Sequence, residues 1–194
     1  RGISDPRVLE AMARVPRHLF VPEDLRDEAY DDKPLPIGEG QTISQPYIVA
    51  AMLAAAGAGP GCRLLEIGTG CGYAAAVALE TGAEVWTVER LETLAYQARA
   101  RLMRLGYGGV RLRDGDGTRG WANHAPYDAI LVAAATDHPP PALCAQLARD
   151  GGRMVLPLGG YLGQWLSVAR WEGEVLRIEA LEPVRFVPLI GDED

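Results

Sequence analysis

Leu64-Leu65-Glu66-Ile67-Gly68-Thr69-Gly70-Cys71-Gly72-Tyr73 reads LLEIGTGCGY, and the fold turns on it. An apolar run of strand length breaks into glycine at every second position, and YAAAVALE follows with the composition of a buried helix. Glycine lets the main chain turn tightly and approach a ligand closely, so a strand, glycine loop and helix in this order suit a nucleotide-type cofactor. A dinucleotide fingerprint would want glycine where this sequence has Tyr73, which disfavours NAD. ExGxGxG instead suits S-adenosylmethionine, whose amino-acid moiety needs no room for a pyrophosphate. A plain tight turn is the competing reading of the same glycines.

Working outward, short apolar strands alternate with helices from Arg63 onward: RLLEIG, YAAAVALE, EVWTVE, LAYQARARLMRLG, VRLRD, DAILVAAA, PALCAQLA and RMVLPLG. That rhythm predicts an α/β fold, a mostly parallel, doubly wound, Rossmann-like sheet with helices on both faces. WLSVARW and VLRIEAL flank Glu172-Gly173-Glu174 with near period-2 patterning and predict a C-terminal antiparallel hairpin. Upstream, Asp5 precedes Pro6 as an N-cap precedes a first helical residue, and Val8, Met12 and Val15 recur at helical spacing. Residues 31–47 read as a long ordered loop in which Ser44 caps a helix Pro46–Ala56 that Gly57 stops. The expected division is a single domain: an N-terminal helical and loop extension over 1–57, a cofactor-binding core over 58–160 and the hairpin over 161–194.

The 194 residues, 48% hydrophobic and 23% charged, have ordinary globular composition. A net charge of −7 argues against sequence-independent nucleic-acid binding, which needs Lys and Arg to neutralise phosphates. No apolar run approaches the roughly 20 residues that span a bilayer, and the tail FVPLIGDED is not an anchor. Cys62, Cys71 and Cys144 show no disulfide or zinc spacing and fit a reducing compartment, so a cytoplasmic monomer is expected. The sequence opens on Arg1 rather than Met, so a signal peptide upstream would lie outside it. His18, His124 and His138 are scattered, and neither a nucleophile elbow nor a metal-ligand pattern occurs, so no metal is expected.

Glu89 ends EVWTVE about twenty residues after the glycine loop, where a carboxylate accepts both hydroxyls of a ribose; a solvated acid paired with Arg90 is the alternative. Gly115-Asp116-Gly117 follows the next strand and reads either as an adenine-side turn or as an ordinary one. GEGQTISQPY, residues 38–47, gathers small hydrogen-bonding groups just ahead of the apolar IVAAMLAAAG.

Several segments together resemble the protein-L-isoaspartate O-methyltransferase family: VPRHLFVPE (15–23), LPIGEGQTISQPYIVAAM (35–52), LLEIGTGCGYAAAV (64–77), VERLETLAYQAR (88–99), GDG (115–117) with YDAILVAA (127–134), GGRMVLPLG (151–159) and VRFVPL (184–189). The glycine loop is shared by many methyltransferases; GQTISQP joined to VPRHLF and VRFVPL is what singles out this family. The resemblance implies methyl transfer from S-adenosylmethionine, leaving S-adenosylhomocysteine, to the free α-carboxylate of L-isoaspartyl residues in peptides and proteins. The ester then collapses to a succinimide, whose hydrolysis returns some normal aspartyl linkage. It further implies Ser44 as the catalytic residue, and Glu66, Gly68, Thr69, Gly70, Tyr73, Glu89, Arg90, Asp116 and Gly117 around the cofactor. Ile37, Gln41, Thr42, Ile43 and Val187 are the expected peptide contacts.

A carboxylate with an ordinary pKa of about 3.5–4 is anionic at neutral pH and needs orientation rather than deprotonation. The expected source of that orientation is the helix N-terminus beyond Gln45, acting with the Thr42 and Ser44 hydroxyls. The sequence departs from the family's pattern at Cys71, where the family often has serine and both side chains are small, in the proline-rich AAATDHPPPAL (133–143), and in the tail IGDED; the loop bears on substrate preference. The family also carries a helix ahead of Arg1-Gly2-Ile3 that this sequence does not contain. Methylation of an ordinary aspartate in a dedicated precursor peptide, or cofactor binding without catalysis, are the alternative functions.

Overall fold

The structure is a computed structural model that describes residues 2–192; Arg1, Glu193 and Asp194, the first residue and the last two of the acidic tail, lie outside the described residues. Five parallel strands form the heart of a seven-stranded sheet: β3 (Arg63–Ile67), β4 (Glu84–Glu89), β5 (Arg111–Asp114), β6 (Ala129–Val132) and β7 (Arg153–Leu158). The spatial order is β5-β4-β3-β6-β7, so the chain winds outward from β3 in one direction and then returns to its other side. Between β3 and β6 the connections leave in opposite directions, which opens a crevice at the carboxyl ends of those strands. β8 (Gln164–Glu172) and β9 (Val175–Val184) complete the sheet as the expected antiparallel hairpin, turning at Gly173-Glu174.

Side chains alternate between two cores, as the period of a strand demands. Leu64, Val85, Leu131 and Val155 point to one face, and Leu65, Ile67, Trp86, Ile130 and Met154 to the other. The first face is covered by α1 (Pro6–Arg14), α2 (Pro46–Ala56) and α3 (Tyr73–Glu80). On the second face lies α5 (Pro141–Gln146), with Leu143 fully buried, while α4 (Glu92–Arg104) packs along β4 and β5. Asp5 caps α1 through Arg7 N–H, as its position ahead of Pro6 predicts. α2 buries Val49, Ala50, Ala51, Met52, Leu53 and Ala56, residues distributed around its whole circumference. A helix apolar all round needs cover on every side, and here the sheet lies beneath it and α1 beside it.

Two local expectations need correction. Residues 31–47 are not simply a loop, because β1 (Leu35–Gly38) and β2 (Gln41–Ile43) pair antiparallel about a turn in which Glu39 and Gly40 have φ of 52° and 68°. Positive φ at both central residues matches the twist of a two-residue hairpin, and Pro36 is tolerated because a two-stranded ribbon has only edge strands. Nor does Ser44 cap α2: the N-cap is Gln45, and no side-chain cap bond forms. Pro46 has no N–H, Tyr47 N–H donates to Asp32 Oδ1 at 3.0 Å, and the amides of Ile48 and Val49 reach Gln45 O at 3.1 and 3.2 Å. The donors of this helix end are therefore consumed within the protein, and Asp32 already supplies the negative charge that the helix dipole favours.

Leu53→Ala removes a fully buried side chain at the centre of the α2 packing. The expected loss is about 2–5 kcal/mol. In urea the variant should unfold in one transition shifted to lower midpoint, reported alike by fluorescence and circular dichroism; an early separate transition would show that residues 1–57 fold independently.

Candidate active site

Three strand ends build the floor of the crevice. Beyond β3 the chain turns through Gly68, Thr69 and Gly70, and a Cβ on Gly70 would sit 3.2 Å from Ile37 Cδ1 in addition to adopting a φ of 54°. From the end of β4, Glu89 reaches across to this loop: Gly70 N–H donates to its Oε2 at 2.8 Å and Leu91 N–H to its Oε1 at 3.0 Å. The carboxylate is only 6% exposed, and each oxygen keeps a lone pair for another donor. Gly117, past β5, lies so close to Ile67 that a Cβ would meet its Cγ2 at 2.5 Å.

Glu66 lies deeper. The Thr87 hydroxyl donates to its Oε2 at 2.9 Å and shares a 2.6 Å hydrogen bond with the Thr69 hydroxyl. Burial pushes the Glu66 carboxyl up to about 8; the Thr87 hydrogen bond opposes the rise and the neighbouring Glu89 charge adds to it.

The opposite wall carries β2 and its continuation. The Ser44 carbonyl accepts from Arg17 Nη2 at 2.8 Å, while Arg17 Nε donates to Ala29 O at 2.6 Å. Arg17 is 1% exposed, burial lowers its pKa, and its guanidinium stacks 4.9 Å from the ring centroid of Tyr73. Tyr73 packs edge-on against Phe20, and burial pushes its phenol up to about 12, which keeps it neutral. The Ser44 hydroxyl has no hydrogen-bond partner among the described residues and belongs to the cavity lining. A third wall runs through the extended segment after β9, where Ala135 N–H donates to Val187 O and Leu189 N–H to Ala135 O, each at 2.7 Å. The three walls enclose one cavity of about 820 Å³, near the upper end of the roughly 300–1,000 Å³ usual for ligand sites.

The sequence profile of the family described as protein-L-isoaspartate(D-aspartate) O-methyltransferase matches residues 1–194. The chain belongs to the protein-L-isoaspartate O-methyltransferase family. A relative from Rhodopseudomonas palustris, named protein-L-isoaspartate O-methyltransferase 1, is 55% identical over 195 residues, which cover 100% of this chain and 79% of that one. One from Synechococcus is 62% identical over 197 residues, covering 98% and 80%. A solved protein-L-isoaspartate O-methyltransferase superposes with a TM-score of 0.89 at 30% identity; 98% of this chain is matched, and it spans 63% of the length of the other. A Plasmodium falciparum structure of the same description, in complex with S-adenosyl-L-homocysteine, gives a TM-score of 0.83 at 25% identity, covering 98% of this chain and 93% of that one. Membership of this family carries S-adenosylmethionine-dependent methyl transfer to protein carboxylates, and the doubly wound sheet is the methyltransferase fold of those neighbours.

Most residues singled out by the family resemblance meet in this cavity. Glu66, Gly68, Thr69, Gly70, Tyr73, Glu89, Arg90 and Gly117 line one part, and Gln41, Thr42, Ile43, Ser44 and Val187 the other. Two do not. Ile37 lies behind the lining, with its Cδ1 against Gly70. Asp116 is outside the lining: its Oδ1 accepts from the amide and hydroxyl of Thr118 at 2.8 and 2.7 Å, and its Oδ2 from Asp192 N–H at 3.2 Å. Burial alone would raise its pKa, but the Thr118 hydrogen bonds, the Asp192 N–H and the Arg119 charge together outweigh it and lower the value. Its work is to cap the short turn Gly117–Arg119 and tether the tail. Ile43, 4% exposed, is mainly a core residue. Arg90 does not pair with Glu89, whose oxygens hold backbone amides instead. Arg17 escaped the functional reading, although a lone arginine inside the apolar VPRHLF was its visible signal.

Because Glu66 has its folded-state pKa raised from the ordinary 4.5 to about 8, the folded protein holds a proton there that the unfolded chain releases. Its contribution to stability is full below about pH 4.5 and is lost as pH rises toward 8. Glu66→Gln, which cannot ionise, should therefore gain in melting temperature on the wild type as pH goes from about 5 to 8.5. A difference that stays constant over that range would place the Glu66 pKa near its ordinary value.

Proposed function

We propose that this chain methylates the free α-carboxylate of L-isoaspartyl residues in damaged peptides and proteins, inside the cavity that joins the glycine loop to the Gln41–Ser44 wall. The single observation that carries this reading is the continuity of that cavity: a cofactor-shaped floor and an edge of hydroxyls and amides share one space. S-adenosylmethionine, when bound, supplies an electrophilic methyl on a sulfonium. The residues present fit it. Gly68 and Gly70 leave the floor free of Cβ atoms, Glu89 offers an ordered acceptor pair for a ribose diol, and the buried Glu66 faces the lining without a cationic partner among the described residues.

The protein's own part is orientation and desolvation. The substrate carboxylate enters already ionised, so no base is needed to make it a nucleophile. Ser44, anchored through its carbonyl by Arg17, directs its hydroxyl into the cavity and donates to one carboxylate oxygen, replacing water lost on entry. Thr42 and the main chain of β2 complete the edge against which a peptide backbone lies. The α2 terminus has no part in this, since Asp32 already occupies its first donor. The reading extends to a cytoplasmic monomer that binds no nucleic acid, supported by three free cysteines and a net charge of −7. No helix among the described residues is long and apolar enough to cross a membrane.

Glu89→Ala should weaken cofactor binding by about 1.5–3 kcal/mol, the worth of hydrogen bonds to a charged acceptor. Ser44→Ala should lower kcat while leaving cofactor affinity within about twofold; calorimetry and turnover at saturating cofactor separate the two. The reaction itself is tested by kcat/KM on matched peptides differing only in Asp or isoAsp. The iso linkage routes the main chain through the β-carbon, so a site that binds carboxylate and backbone together satisfies its polar groups with one form only. Discrimination on the order of 10⁴ is expected. Equal rates, or activity confined to one aspartyl precursor peptide, would replace repair by modification of a dedicated substrate.

A further inference from the structure

The β8–β9 ladder ends at the pair Gln164 and Val184. Beyond it the chain on the β8 side turns away through Gly159–Gly163, so Arg185 and Phe186 have no strand left to pair with. The Gln164 side chain takes over. Its Oε1 accepts from Phe186 N–H at 2.7 Å, and its Nε2 donates to Phe186 O at 3.1 Å. One side-chain amide thus supplies both bonds of a missing β-ladder rung. Only one orientation of the amide satisfies both, because the N–H requires the oxygen and the carbonyl requires the nitrogen.

The segment so held matters because it is a wall of the cavity: Phe186, Val187, Leu189 and Ile190 line it, Phe186 packs in the same core as Ile43, next to Ser44, and Leu189 in the same core as Ile67, while Gly191 approaches Thr118. Three of the described residues hold its main chain. Gln164 holds Phe186, Ala135 holds Val187 and Leu189, and Asp116 holds Asp192. Arg185, Pro188 and Ile190 are exposed, while Phe186 and Leu189 are half-buried against the two cores, so packing and these tethers fix the stretch together. The Ala135 bonds secure Val187 and Leu189, and the Asp116 bond secures Asp192. Among the described residues, Gln164 is the side chain that hydrogen-bonds the main chain of Phe186, which packs in the same core as Ile43 of β2.

We infer that Gln164 is a positioning residue for peptide recognition: by continuing the β-ladder onto Phe186 it sets the wall against which the isoaspartyl main chain lies, and it does so without touching the cofactor side. This rests on the reaction proposed above. Its signature is a change in peptide affinity that spares cofactor affinity, which general loosening of the fold would not produce.

Two variants test it. Gln164→Glu is nearly isosteric and still accepts from Phe186 N–H, but sets a carboxylate oxygen against the Phe186 carbonyl. Gln164→Ala removes both bonds. For each, KM and kcat are measured with a short peptide containing one isoaspartyl residue. The Kd of that peptide for protein loaded with S-adenosylhomocysteine, and the Kd of S-adenosylhomocysteine alone, are measured by calorimetry, with melting temperatures alongside. Peptide KM and Kd should rise about tenfold in both variants, with kcat within about threefold and cofactor Kd within about twofold. Unchanged peptide affinity in both variants would overturn the inference, as would peptide and cofactor affinities falling together. A wild type that binds the isoaspartyl peptide without methylating it would instead sink the proposed reaction and leave the Gln164 result standing as a statement about binding.

Discussion

Glu89 accepts the amide of Gly70 with one oxygen and the amide of Leu91 with the other, and this clasp joins the loop after β3 to the end of β4. A loop built from glycines has more conformational freedom to lose than any other, and without a strong local partner it would not keep one shape. Hydrogen bonds to a buried carboxylate are among the stronger available, at about 1.5–3 kcal/mol each. The clasp keeps rigid a floor in which Gly68 and Gly70 carry no side chain. Everything around it takes position from that floor: Ile37 of the β1–β2 ribbon rests on Gly70, and Gly117 approaches Ile67 at the loop's origin.

A second buried carboxylate lies beside the first with a different task. Glu66 receives one hydroxyl where Glu89 receives two amides, and its burial is complete enough to favour the neutral form at pH 7. The Thr69, Thr87 and Glu66 chain ties the loop to the interior of β4 independently of the clasp. On the facing wall the charge is positive: Arg17 spends its hydrogen bonds on the carbonyls of Ala29 and Ser44 rather than on an acid. A buried cation is costly, with only the more distant Asp32 charge to favour it among the described carboxylates, and its effect is to fix the main chain at Ala29 and Ser44.

The sheet was legible from the sequence because each strand carries its own signature. RLLEIG, EVWTVE and DAILVAAA are apolar runs alternating with helical stretches, which marks a buried parallel sheet, whereas the assignment of Leu64 and Val85 to one core and of Leu65 and Trp86 to the other comes from the structure. The glycine loop and Glu89 were legible for the same reason, being local features at fixed spacing. What escaped depended on distant pairings. Ser44 looked like the cap of α2, yet Asp32, fifteen residues before Tyr47, provides the bond. The bond from the returning tail to Asp116 is equally out of reach of local reading, since Asp192 lies 76 residues further on. The β1–β2 ribbon was hidden by Pro36 and three positive-φ residues, features that local propensity counts against a strand.

β9 forms one border of the sheet, so a run of its amides and carbonyls faces solvent along ten residues. Such a border is a template for any extended polypeptide that drifts past, and a protein whose family works on damaged chains meets many. Arg177, Glu179 and Glu182 place charge along this strand, and Pro183 removes one donor near its end. The opposite border, β5, carries Arg111, Arg113 and Asp114. An extended chain is thereby discouraged from annealing to the outside of the sheet.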